Sequence, residues 1–120
     1  MKAGAQLALL PELHRAARQV GHDAGDRAAA RNERSNPGWV DAAVLRLRAF
    51  AKHAPGVWTM EQAREVIGAE LPDPTDLRAW GVVTRLAARR EFIAQVRGVY
   101  IAAVSSHGSA KPAYRKGAKA

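Results

Sequence analysis

The sequence predicts a mainly α-helical domain closed by a small β-hairpin, and three observations carry that prediction. Apolar residues recur at helical spacing in three successive segments between residues 39 and 90. Proline-bearing breaks separate them, at His53-Ala54-Pro55-Gly56 and at Leu71-Pro72-Asp73-Pro74-Thr75. After Glu91 the pattern changes to short β-rich runs, residues 92–96 and 99–104.

Each element follows from its residues. Segment 1–35 is rich in Ala, Gly and Arg, and its bulky apolar side chains stop at Leu7, Leu9, Leu10, Leu13 and Val20. Gly21 and Gly25 each cost a helix about 1 kcal/mol against Ala, so a marginal helix or an arm is expected. Ser35-Asn36-Pro37 has the form of a helix start. Beyond it Trp39, Val40, Ala43, Val44, Leu47, Phe50 and Ala51 share one face, with Asp41, Arg48 and Lys52 opposite. Thr59-Met60-Glu61-Gln62 reads as a capping box for a second helix over 60–68, with Met60, Ala63, Val66 and Ile67 inward. Asp73 or Thr75 is then placed to cap a third helix over 76–90.

That third helix carries the most specific pattern in the chain. At about 100° per residue, Leu77, Trp80, Val83, Thr84, Ala87 and Ala88 form an apolar arc. Arg78, Arg85 and Arg89 fall within roughly 40° of one another on the far side, giving a stripe of guanidinium groups. The strands that follow are joined by Arg97-Gly98, and residues 105–120 read as a basic flexible tail, in which Pro112-Ala113-Tyr114-Arg115 is a candidate third strand. A three-helix core with a two- or three-stranded wing, residues 36–104, is the element order of a winged helix-turn-helix domain.

Charge singles out the same region. The net charge is +8. Residues 1–76 hold ten basic and ten acidic side chains, whereas residues 77–120 hold nine basic groups against Glu91 alone. A one-sided excess of this kind suits a polyanion, because cations at phosphates release condensed counterions. Arg85 and Arg89, with Arg78 near the helix start, are candidates for the major groove, where guanidinium can pair with guanine. Arg97 at the wing and Lys111, Arg115, Lys116 and Lys119 in the tail are candidates for phosphate contacts. Arg90, at the edge of the apolar arc, is expected to snorkel or to pair. Tyr114 and the three tryptophans are expected to pack.

The blocks Trp39…Phe50-Ala51, Pro72-Asp73-Pro74, Arg78-Ala79-Trp80-Gly81-Val82-Val83 with Ala87-Ala88-Arg89, and Ser106-His107-Gly108…Pro112-Ala113-Tyr114-Arg115 resemble a group of small bacteriophage and prophage proteins with a winged-helix core. The resemblance covers about residues 20–116, and Arg78-Ala79-Trp80-Gly81 is its most specific part. Members commonly carry Gly near the position of Glu91 and Trp at that of Tyr114. The resemblance implies an accessory DNA-binding protein acting in replication or transcription control, in the cytoplasm of a bacterial host.

Other functions find little footing. No Cys is present, which removes disulfides, thiolate metal sites and a cysteine nucleophile. His14, His22, His53 and His107 form no i, i+4 pair, and no phosphate-loop, dinucleotide or metalloprotease motif occurs. No enzyme, metal or small-molecule cofactor is expected. No apolar run reaches the roughly 18 residues of a membrane span. The expected partner is double-stranded DNA, with a homodimer through the N-terminal arm as a second candidate contact. The rival reading is a winged helix that recruits an acidic replisome or polymerase subunit. A single-strand or RNA binder is disfavoured by the scarcity of exposed aromatics. The DNA reading of the third helix requires its three guanidinium groups to stand free of carboxylates.

Overall fold

The computed structural model describes residues 2–102 and 110–120, with the side chains of Ala16 and of Arg18 onward. These form four helices and one antiparallel strand pair: α1 (Lys2–Ser35), α2 (Trp39–His53), α3 (Met60–Ile67), α4 (Ala79–Arg89), β1 (Ile93–Ala102) and β2 (Ala110–Lys116). Among the described residues no helix is long and apolar enough to cross a membrane.

α2 turns Trp39, Ala43, Val44, Leu47 and Ala51 inward, as its spacing predicts. Its cap differs from the expected Ser35-Asn36-Pro37 start, because α1 continues through Ser35. Gly38 makes the turn at φ 79°, and the Glu33 carboxylate accepts from the N–H groups of Gly38 at 2.8 Å and Val40 at 3.0 Å. An acidic side chain thus satisfies the open end of the next helix. α3 starts on the expected capping box: the Gln62 N–H donates to Thr59 Oγ1 at 3.2 Å, and the Thr59 N–H donates to Gln62 Oε1 at 2.9 Å. Ala63 and Ile67 take its inward positions, and Val66 is exposed rather than inward, since α3 presents only two turns to the core.

The core rests on aromatic edges. Trp39 meets Trp80 edge-on at 4.9 Å, and Phe50 meets Trp58 in the same way at 4.9 Å. The Trp39 Nε1–H donates to the Pro72 carbonyl at 2.8 Å, which fixes the linker over the bundle. α4 begins at Ala79, later than expected, after a tight turn in which the Asp76 carbonyl accepts from the Ala79 N–H. Leu77 therefore lies outside the helix and is exposed, not in the apolar arc. Neither Asp73 nor Thr75 caps α4, which follows Arg78 without a side-chain cap; the Asp76 carboxylate accepts from the Arg78 N–H at 2.9 Å in the turn before it.

Of segment 1–35, Lys2–Ser35 is a 34-residue helix rather than an arm. Its last third is part of the core, with Gly25, Ala28, Ala29 and Asn32 buried and α1 packed on α4. Small side chains let the two helices approach closely: a Cβ on Gly25 would lie 3.6 Å from Val82 Cγ2. Asn32 Oδ1 accepts from the Thr75 N–H at 3.1 Å and from Asn36 Nδ2 at 2.9 Å, joining the helix to the linker.

The hairpin also departs from its expected form. β1 is one strand, and Arg97-Gly98 is a bulge within it, not the turn. Val96 pairs with Ala113 and Tyr100 with Pro112, so three residues of β1 have no counterpart on β2. Pro112 has no N–H to donate, which explains why the ladder yields there. The connection at 103–109 lies outside the described residues. Of the expected flexible tail, 110–116 is β2, and Trp58 forms a bridge with Tyr114 through bonds of 2.9 and 2.7 Å.

The chain end folds back on the junction between α4 and β1. Glu91 adopts φ 62°. Its carbonyl accepts from the Lys119 N–H at 2.8 Å, while the Gly117 N–H donates to the Phe92 carbonyl at 3.0 Å. Left-handed backbone costs a non-glycine residue roughly 1–2 kcal/mol. Glu91→Gly is therefore expected to stabilise the fold by about 0.5–1 kcal/mol, raising Tm by several degrees in a thermal melt; an unchanged or lower Tm would count against the strain at this turn.

Candidate nucleic-acid interface

Nine basic residues follow position 76, and the structure sorts seven of them into two groups. The first lies along the α1–α4 seam. Arg78 packs its guanidinium on Asp76, with contacts of 3.1 and 2.7 Å, and Arg31 of α1 reaches the same carboxylate at 2.9 Å. Hydrogen bonds from the Arg78 side chain and then its backbone N–H, with Arg31 behind them, hold the Asp76 carboxyl well below the usual range. Asp76 in turn raises the Arg78 guanidinium above its ordinary value. Arg85 pairs with Asp26 of α1, and its side chain is three-quarters covered. The expectation of an unscreened arginine stripe thus does not hold for Arg78 and Arg85. Their partners come from the preceding turn and from a helix 59 residues upstream.

The second group surrounds the α4–β1 junction and the hairpin. Arg89 ends α4, Arg90 follows it, Arg97 sits at the bulge, and Arg115 and Lys116 lie on β2 opposite Ala94 and Ile93. All five are exposed, and among the described residues none has a carboxylate partner. Arg90 in particular neither packs nor pairs, because α4 ends before its arc would carry it under the domain. Glu91, the acidic residue of this region, is engaged by Lys119 at 3.0 Å. Arg115 and Lys116 line a shallow cleft of about 520 Å³ with Ala88, Ala94 and Gln95.

Sequence reasoning missed Arg48. On α2 it reads as a solvated position, yet its guanidinium lies 4.5 Å from the centroid of the Phe92 ring, which adds a sixth cation at the hairpin root. Only tertiary packing, which sets Phe92 at the α4–β1 junction beside α2, brings the two together.

Lys111 faces elsewhere. It lines an open groove of about 1020 Å³ beside α4, whose walls mix Arg64, Arg85 and His22 with Glu61, Glu65 and Asp73. Gly81, Thr84, Trp80 and Tyr114 also line it, so the groove is apolar at base and close to neutral at its rim. Tyr114 packs, as expected: it stacks on Trp58 at 6.1 Å, and burial raises its hydroxyl above the ordinary value.

The Asp76 cluster gives a pH dependence. A carboxyl depressed in the folded state contributes stability that is fully present above its unfolded value near 3.9 and is lost as pH falls through its folded value. Asp76→Asn should lower stability at pH 7 and flatten the acid limb of a urea-unfolding series between about pH 5 and 3. An acid limb identical to that of the parent would remove Asp76 from that role.

Among the described residues no group of acidic or His side chains is placed to hold a metal ion. No family model matches the chain, and no curated protein or solved structure matches it either.

Proposed function

We propose that this chain is a winged-helix protein that binds duplex DNA by its phosphates, through the hairpin and the C-terminal end of α4. The observation that carries the reading is the set of exposed cations Arg89, Arg90, Arg97, Arg115 and Lys116, which have no carboxylate partner among the described residues, while Glu91, the one acidic residue after position 76, is paired with Lys119. Cations left without internal partners gain most from a polyanion, since binding releases counterions without breaking an ion pair. The order α2, Trp58 bridge, α3, α4, hairpin supports the winged-helix reading, because the bridge lays the segment before α3 against β2 as a short third strand.

In this reading the protein binds and does not catalyse. The block Arg78-Ala79-Trp80-Gly81 supports a place among phage accessory factors of replication or transcription control. Homodimerisation through α1 would double the phosphate contacts of a single small domain. Fluorescence anisotropy with a labelled duplex across a salt series tests the reading. About four phosphate contacts give a slope near −3.6 in log affinity against log salt. Absence of duplex affinity at low salt, with binding to an acidic protein surface retained, would favour recruitment of a protein partner instead.

A further inference from the structure

The geometry points to sequence-indifferent binding: we infer that α4 is withheld from the major groove and that this protein holds duplex DNA of any sequence. The inference deepens the duplex-binding reading and rests on it. Reading bases through α4, the reading helix of a winged-helix domain, requires that helix to enter a groove about 12 Å wide, and one helix of about 10–12 Å diameter fills that width. α4 does not stand alone. α1 is packed along it, with Gly25 against Arg78 and Val82 and with Asp26 holding Arg85. α1 thus covers the side of α4 that carries Arg78, Val82 and Arg85, and two helices packed about 8–10 Å apart make that side roughly 20 Å wide, more than the groove admits.

Charge gives the same answer independently. Arg78 and Arg85 would each have to leave a carboxylate to reach a base, and Asp26 would then face the DNA unpaired while Asp76 kept Arg31 alone. Like-charge approach of a carboxylate to phosphate is unfavourable, so the α1–α4 seam favours its own closed pairing over the nucleic acid. The cations that remain unpaired sit on the hairpin and at the end of α4, positions suited to the sugar-phosphate backbone. Phosphate contacts set position and carry no sequence information. Specificity is thereby removed from the helix that the fold would otherwise use to read.

The test incubates the full chain with a duplex pool carrying a randomised core of about 20 base pairs and sequences the bound and unbound fractions. The expected result is uniform enrichment, with no short motif favoured by more than about three-fold, since base-reading proteins discriminate by roughly 10³ or more. In parallel, Arg85→Ala should leave duplex affinity within about two-fold, because a residue paired with Asp26 adds no phosphate contact. A motif enriched by about a hundred-fold, or a large loss of affinity in Arg85→Ala with the salt slope reduced, overturns the inference while leaving duplex binding intact. No retention of any duplex overturns the duplex reading itself, and the inference with it.

Discussion

Replacing Arg89, Arg97, Arg115 and Lys116 together by Ala should nearly abolish duplex binding while leaving the fold in place. All four side chains are exposed, and none takes part in an ion pair among the described residues, so their removal disturbs no packing. Removing one cation from a phosphate reduces the salt slope by about 0.9, so with Arg90 left as the remaining contact an expected slope near −3.6 falls in magnitude to about 0.9 or less. Affinity near 0.1 M salt should fall by about two to three orders of magnitude. The control is Arg78→Ala, which removes a cation of the same type from the paired group and should leave the slope unchanged. A quadruple variant that keeps both slope and affinity would place the interface elsewhere, and circular dichroism of the same sample reports whether the helices survive.

Gly117→Ala should be the most damaging single-methyl change in the C-terminal segment. A Cβ at this position would lie 2.2 Å from the Glu91 carbonyl oxygen and 2.7 Å from the Ile93 nitrogen, both backbone atoms that cannot swing aside. The chain end must then detach, breaking the bonds from Gly117 to Phe92 and from Lys119 to Glu91. A loss of about 1–3 kcal/mol is expected, within the range found for overpacked sites. Chemical denaturation measures it, and a loss below about 0.5 kcal/mol, the spread of ordinary surface substitutions, would show that the tail does not brace the junction. Because Arg115 and Lys116 precede this anchor, the variant should also weaken duplex binding. The anchor keeps β2 seated on β1, and so keeps the cations of both strands on one body.

Elements governed by local rules were legible from the sequence. The apolar face of α2 and the capping box of α3 depend on residues within one or two turns, and both stand where the pattern puts them. The docking of α1 was not legible, because it is made by Gly25, Ala28, Ala29 and Asn32. Small and polar side chains carry almost no hydrophobic signal, yet they allow the closest approach between helices. Periodicity alone reads Leu77 and Val66 inward, yet Leu77 falls before α4 begins and Val66 lies on the outer side of a helix of only two turns. Gly98 does adopt φ 75°, the conformation that suggested a turn, but in a bulge imposed by Pro112 across the ladder.

The candidate site shows the same division. The excess of positive charge after residue 76 was countable, and Arg89, Arg97, Arg115 and Lys116 remain exposed as expected. The neutralisation of Arg85 was not foreseeable, since Asp26 meets it only through the α1–α4 seam. Glu91 is the converse case. Its left-handed backbone explains why glycine suits that position, a reason that composition and spacing could not supply.

The most direct measurement is a titration of the isotopically labelled chain with a short duplex, followed by backbone amide shifts. The largest changes are expected at Arg89, Arg90, Arg97, Arg115 and Lys116, with His22, Asp26, Gly81 and Arg85 nearly still. Shifts concentrated along α1 and the outer face of α4, with the hairpin unmoved, would contradict a hairpin-centred interface.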